Sequence, residues 1–245
     1  HGMQLRAGNT KSGVDACPLL DTALLDGKTQ VQRKFEGKIY LRGDSAYCYQ
    51  DVIKKAVEKG VYFTLTAHDG TTDWKDQLAQ TGLSWTSHVY TPDEVNWAQE
   101  KGRELPQVEY TRMNWTPKWS EVEGKKLVFP IVVKRTLNKE KFEEVRQQNT
   151  QIRLIGDDGY LKEDPYDYYA IVTNLPLDLA TERLQKSEAE RNGKKRYYSL
   201  QEVCQFHQKR GNAENFIREE KYGYDLSHFP CLKLNANKAY GLLAM

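Results

Sequence analysis

The chain has 245 residues, 39% hydrophobic and 29% charged, enough for one large domain or two modest ones. No apolar run approaches the length of a membrane span, and the opening His1-Gly2-Met3-Gln4-Leu5 carries no basic-then-apolar export pattern. A formal net charge of +2 excludes a strongly basic protein whose charge alone would name nucleic acid as partner, and four widely separated cysteines (Cys17, Cys48, Cys204, Cys231), with no CxxC pair, read as free thiols of a reducing cytoplasm.

In chain order, Met3 to Arg6 alternates like a strand, Ala7 to Thr10 reads as a turn, and a helix is predicted over Val14 to Leu25, closed by Gly27. Ile39-Tyr40-Leu41 is a buried strand ending at Arg42-Gly43-Asp44. A helix follows, its apolar face built from Val52, Ile53, Ala56 and Val57, with Gly60 as C-cap. Val61 to Thr66 is the next strand. Strand–helix–strand succession predicts a parallel pair.

The middle reads differently. All five tryptophans fall between Trp74 and Trp119, and strands are predicted at Val108 to Tyr110, Lys126 to Val133 and Tyr168 to Thr173. Glu123-Gly124, Asp158-Gly159 and Glu163-Asp164-Pro165 are the turn signals between them. The stretch from about 70 to 180 is therefore expected to be mostly β, its aromatics packing a core or forming a base-stacking platform. Helix returns after Asn192-Gly193. Ser199 and Glu202 form a capping box for a helix to about Lys209, Gly211-Asn212 interrupts it, and Asn212 can cap a second helix to about Lys221. Both ends read as cut, the last residues being apolar and helical without a stop signal.

Two features carry possible chemistry. Asp44 follows a buried strand, at the crevice where α/β sheets form sites; a carboxylate there fits a site or a simple cap equally. The same residues spell an adhesion tripeptide, Arg42-Gly43-Asp44, which a position behind a buried strand makes a coincidence. The second feature is the segment His207 to Lys221. Glu214, Arg218 and Lys221 recur at helical spacing and share one face, which suits a site or a salt-bridged surface helix. Glu214 in a first helical turn also suits the helix dipole. Basic residues cluster from Arg191 to Arg210.

This segment resembles the C-terminal signature of DDE transposases of the insertion-sequence-four-like group: Tyr, two residues, Arg, three residues, Glu, six residues, Lys. Here His207, Arg210, Glu214 and Lys221 stand at that spacing, with His in the Tyr position. Arg42 to Tyr47 resembles the segment holding the family's second catalytic aspartate, and Leu5 to Thr10 the strand and turn after the first. That first aspartate, expected one strand ahead of Met3, is missing from the chain, and none of Asp15, Asp21 or Asp26 ends a predicted strand.

The resemblance implies an α/β fold with an RNase H-like core, a mixed sheet flanked by helices, interrupted by a mostly β insertion domain. Residues 1–70 would begin the core, 71–190 form the insertion and 191–245 supply the helical remainder. It implies metal-dependent cleavage and strand transfer of transposon ends. Asp44 and Glu214 would be catalytic metal ligands for two Mg²⁺ or Mn²⁺ ions. His207, Arg210 and Lys221 would bind DNA phosphates, with Asn212, Asn215 and Arg218 supporting. The implied partners are double-stranded DNA and a second copy of the chain, in the bacterial cytoplasm at the nucleoid. The competing readings are an RNase H-like nuclease that hydrolyses without joining, an inactive DNA-binding remnant, and a structural α/β protein.

Overall fold

The computed structural model describes residues 39–80, 82–119, 121–122, 125–144, 165–178 and 197–209, together with Cys17 and Asp21. The expected strand at Met3 to Arg6 and the second helix after Gly211 lie outside these residues. The fold is mixed α/β. Six strands share one mixed sheet, in the order β1-β2-β8-β7-β4-β3 in the numbering given below. By internal contacts the chain divides into two units. Unit 1 comprises residues 1–72, 173–175 and 205–245, and unit 2 comprises 73–172 and 176–204.

Unit 1 is built on a strand–helix–strand motif. β1 (Tyr40–Gly43) ends in a 3-10 turn at Ser45–Tyr47, α1 spans Gln50–Glu58, and β2 (Tyr62–Thr66) pairs parallel to β1, from Tyr40 opposite Tyr62 to Gly43 opposite Leu65. α1 buries Val52, Ile53 and Ala56, and its exposed side carries Lys55, ion-paired to Asp21 at 2.8 Å. Its end is a Schellman motif. Gly60 takes φ +65°, its N–H bonds the Val57 carbonyl at 3.0 Å, and the Val61 N–H bonds that of Ala56 at 2.8 Å. A side chain at Gly60 would be strained, so this glycine sets the turn into β2. Phe63, Thr64 and Leu65 are wholly buried in succession, as expected of a parallel strand covered on both faces. A single helical turn, α2 (Asp69–Thr72), follows.

Unit 2 holds α3 (Trp74–Gln80), β3 (Thr86–Ser87), α4 (Pro92–Glu100), β4 (Val108–Trp115), the short hairpin of β5 (Glu121–Val122) and β6 (Lys125–Lys126), β7 (Phe129–Leu137) and all but the last residue of β8 (Tyr166–Thr173). β3, β4, β7 and β8 pair antiparallel in that order. Pro130, which cannot donate to a ladder, lies at the start of β7, ahead of the residues paired to β8. Ile131, Val132, Val133, Ile171 and Val172 form the buried centre. Arg135 crosses to its register partner Glu109 by two contacts, at 2.8 and 2.7 Å, and its guanidinium lies 3.9 Å from the centre of the Trp85 ring and 4.2 Å from that of Tyr166. The tryptophans Trp74, Trp85, Trp115 and Trp119 are thus packing elements of this unit.

The mostly β expectation for this stretch omitted α3 and α4. α4 is framed by strong local signals. Thr91 and Glu94 form a reciprocal capping box, Pro92 stands in the first turn, and Gly102, at φ +58°, closes a second Schellman motif through Arg103. Helix α5 (Leu200–Gln208) begins at the anticipated box: the Ser199 hydroxyl accepts from the Glu202 N–H at 3.1 Å, and the Glu202 carboxylate accepts from the Ser199 N–H at 2.7 Å. Among the described residues no helix is long and apolar enough to cross a membrane.

The His88 imidazole shares a 2.6 Å hydrogen bond with the Tyr110 hydroxyl. Burial holds its pKa below the ordinary value of 6.5; Glu94 opposes the shift and Lys134 adds to it. A depressed histidine contributes stability that is present above the unfolded value and is lost as pH falls toward the folded one. Wild-type stability relative to His88→Asn is therefore expected to shrink as pH drops below 6.5, read from urea midpoints at pH 7.5 and 5; a constant difference would show that His88 is not the linked group.

Candidate active site

Asp44 leaves the carboxyl end of β1 with extended backbone, φ −77° and ψ −174°. Its Oδ1 accepts from the Ala46 N–H at 2.9 Å, so the carboxylate caps the 3-10 turn and is itself held in place by that bond. Gly43 precedes it in a buried position where an added Cβ would stand 2.8 Å from Leu65 Cδ2 and 3.1 Å from Tyr47 Cβ. A larger residue here would make the Leu65 side chain shift and would crowd Tyr47 at the turn. The strand is less buried than expected from sequence: Tyr40 and Arg42 are exposed, Leu41 and Asp44 half-buried, and only Gly43 is covered.

The last register pair of the parallel strands is Gly43 with Leu65, so Asp44 and Thr66 are the next residues along their respective strands. The Thr66 hydroxyl shares a 3.1 Å hydrogen bond with Nε2 of His207, and Nδ1 of the same ring shares one of 3.1 Å with the hydroxyl of Thr64. One ring nitrogen donates and the other accepts, with the hydroxyls rotating to suit. The sequence reading gave His207 a place against a DNA phosphate. The structure places it 1% exposed, its ring bridging the last turn of α5 to β2. A phosphate contact by this ring would require both bonds to break and the side chain to leave the core.

Asp44 and His207 thus belong to the same unit, at strands whose carboxyl ends adjoin. Arg210, Asn212, Glu214, Asn215, Arg218 and Lys221 lie outside the described residues. Among the described residues no group of three or more His, Cys, Asp or Glu side chains comes together in a metal-binding arrangement.

Three further groups shape this region; Asn174 and Thr173 carry no sequence motif, and Arg42 belongs to the Arg42 to Tyr47 segment. Asn174, just past β8, completes the ladder of β2 with its side chain: Oδ1 accepts from the Phe63 N–H at 2.7 Å, and Nδ2 donates to the Val61 carbonyl at 2.9 Å. The Thr173 hydroxyl donates to the Phe63 carbonyl at 2.6 Å. Arg42 reaches the carbonyl of Phe206 at 3.2 Å with its guanidinium over the Phe206 ring. Nearby, burial pushes the Cys48 thiol up to about 11, so it is a packed, protonated side chain and a poor nucleophile. In unit 2 the Cys204 thiol is pushed by burial to about 12, with the same consequence.

No protein-family model matches the chain, and no curated protein matches it significantly.

Proposed function

We propose that this chain is part of a DDE-type DNA transposase with an RNase H-like core, which cuts and joins insertion-sequence ends with the help of Mg²⁺ or Mn²⁺. The observation that carries the reading is the placement of Asp44 beside the anchorage of α5. Asp44 ends the strand paired to β2, and His207 binds the helix leading toward Glu214 onto β2 at the residue following the last register pair. Glu214 stands seven positions after His207 in the sequence. The spacing of His207, Arg210, Glu214 and Lys221 supports the same family.

The donor type fits a hard cation: Asp44 offers carboxylate oxygens, one of them steadied by the Ala46 N–H. Asp44 and Glu214 would hold the metal, with the family's first aspartate completing the set. Divalent cations held by these carboxylates would supply charge stabilisation to the phosphodiester chemistry. The chain's own residues do the rest. Arg210 would grip a phosphate by a bidentate fork and Lys221 as a point charge. Asn212, Asn215 and Arg218 would support the helix that bears Glu214. His207 acts by position, through its threonine bonds, rather than by touching DNA. The partners would be double-stranded DNA and a second copy of the protein pairing two transposon ends in the bacterial cytoplasm.

The test uses the full-length protein, a duplex bearing the DNA end that flanks its own coding sequence, pre-cleaved to a 3′ hydroxyl, and a target duplex in Mg²⁺. Joined product is the expected result. Hydrolysis without joining would identify a nuclease, and binding with neither reaction would identify an inactive remnant; either overturns the proposal.

A further inference from the structure

We propose that His68 is a DNA-binding residue, its Nε2 donating a hydrogen bond to a backbone phosphate of the DNA strand whose cleavage point lies at Asp44. The inference rests on the transposase reading above and names a phosphate contact among the described residues.

β1 and β2 are neighbours in a parallel pair, so their carboxyl ends open on the same edge of the sheet, where α/β folds gather their ligands. Asp44 follows the end of β1, and His68 stands two residues past the end of β2. The connections that leave these two strands meet at His68. Its backbone is hydrogen-bonded to the Cys48 thiol. The Tyr49 ring stacks on its imidazole, centroids 5.9 Å apart and planes 30° from parallel. Cys48 and Tyr49 belong to the same short connection as Asp44, between β1 and α1. All of these residues lie in unit 1.

The imidazole is braced from several sides. The His68 carbonyl accepts from the N–H groups of Thr71 and Thr72, at 3.0 and 3.1 Å, and from the Thr72 hydroxyl at 3.0 Å, which fixes the backbone. Nδ1 shares a 3.4 Å hydrogen bond with the Thr71 hydroxyl. Gly70 leaves room for the ring: a Cβ there would stand 3.3 Å from Cε1 and 3.5 Å from Nδ1. A histidine serving only the core spends both ring nitrogens on protein partners, as His207 does on Thr64 and Thr66. His68 is half-buried, and among the described residues only Nδ1 of its ring is bonded. With the Thr71 hydroxyl donating to Nδ1, the ring proton sits on Nε2 and makes that atom a donor. A donor on a side chain already held in place gives up little freedom on binding, and a charged phosphate oxygen is the acceptor that rewards it most.

The experiment measures binding of the full-length protein and its His68→Ala, His68→Gln and His68→Asn variants to a duplex bearing the DNA end that flanks its own coding sequence. Strand joining and thermal midpoints are recorded in parallel. The duplex is also made with a neutral methylphosphonate at each backbone position near the cleavage point in turn. His68→Ala is expected to raise Kd by about 10- to 100-fold, the loss of one hydrogen bond to a charged group. Its midpoint should move by less than about 3 °C. A glutamine amide nitrogen reaches the place of Nε2 and an asparagine one only that of Nδ1, so His68→Gln should keep most of the affinity and His68→Asn should lose it. One methylphosphonate should weaken the wild type and leave His68→Ala no weaker than before, because both changes remove the same bond. If the wild type joins DNA and His68→Ala binds like it, or every methylphosphonate adds to the His68→Ala loss, the contact is overturned while the transposase reading stands. If His68→Asn binds well and His68→Gln does not, or the His68→Ala midpoint falls as far as a core substitution takes it, His68 is structural and the proposal fails. If the wild type neither binds nor joins this end, the transposase reading falls and the contact with it.

Discussion

Asp44→Asn in the full-length protein is expected to abolish cleavage and joining while leaving transposon-end binding and stability in place. The asparagine variant is informative because Asp44 has a visible structural duty, accepting from the Ala46 N–H at 2.9 Å. Asparagine caps as well as aspartate, so the 3-10 turn at Ser45–Tyr47 survives and only the charge is lost. If the carboxylate were a cap alone, the variant would be neutral in every assay. If it is a metal ligand, several kcal/mol of transition-state stabilisation disappear, on the order of a thousandfold or more in rate. Glu214→Ala is expected to behave alike. Cleavage assayed beside a gel-shift measurement of end binding separates the outcomes. Equal loss of binding and cleavage for Glu214→Ala would make that residue structural.

The second large effect is on stability. His207→Ala removes a ring that is 1% exposed and leaves the hydroxyl of fully buried Thr64 without this partner. A cavity of imidazole size and an unsatisfied buried hydroxyl together cost about 3–4 kcal/mol. A urea titration should show the midpoint falling accordingly with little change in slope. Pairing His207→Phe with Thr64→Val removes both members of one hydrogen bond at once, and should cost less than the sum of the single changes. A residue whose task is gripping DNA phosphate behaves in the opposite way: stability unaltered, and the salt dependence of DNA binding flattened by about one phosphate's worth. That pattern would remove His207 from the anchoring role given to it above.

Local chemistry made the first half of unit 1 readable. Ile39–Leu41, the Val52, Ile53, Ala56 and Val57 face, and Gly60 are signals contained within a few residues. β1, α1 and β2 appear where those signals put them, parallel as expected, but β1, expected to be buried, is not: Tyr40 is exposed and Ile39 and Leu41 are half-buried. The capping box at Ser199 was readable for the same reason, since its two hydrogen bonds join residues three apart. α4 was equally local, with Thr91, Pro92, Glu94 and Gly102 all in place. It was passed over because the β-rich runs and tryptophans around it set the expectation for the whole stretch. β7 begins at Phe129, not Lys126, because Lys126 pairs in the small hairpin with Glu121 and Pro130 suits only a strand's start.

By itself, then, the sequence determined the elements whose causes are local, the position of Asp44 behind a strand, and the spacing that places His207, Arg210, Glu214 and Lys221 in one segment. Only the tertiary structure decided what His207 and Arg42 do. The ring's partners, Thr64 and Thr66, lie 143 and 141 positions away, the Arg42 carbonyl partner 164, and the β2 groups that Asn174 satisfies 111 and 113. Periodicity and motif spacing register neighbours along the chain. A buried hydroxyl or a carbonyl near a helix end pairs with whichever donor the packing delivers, and that choice is made between elements after they assemble.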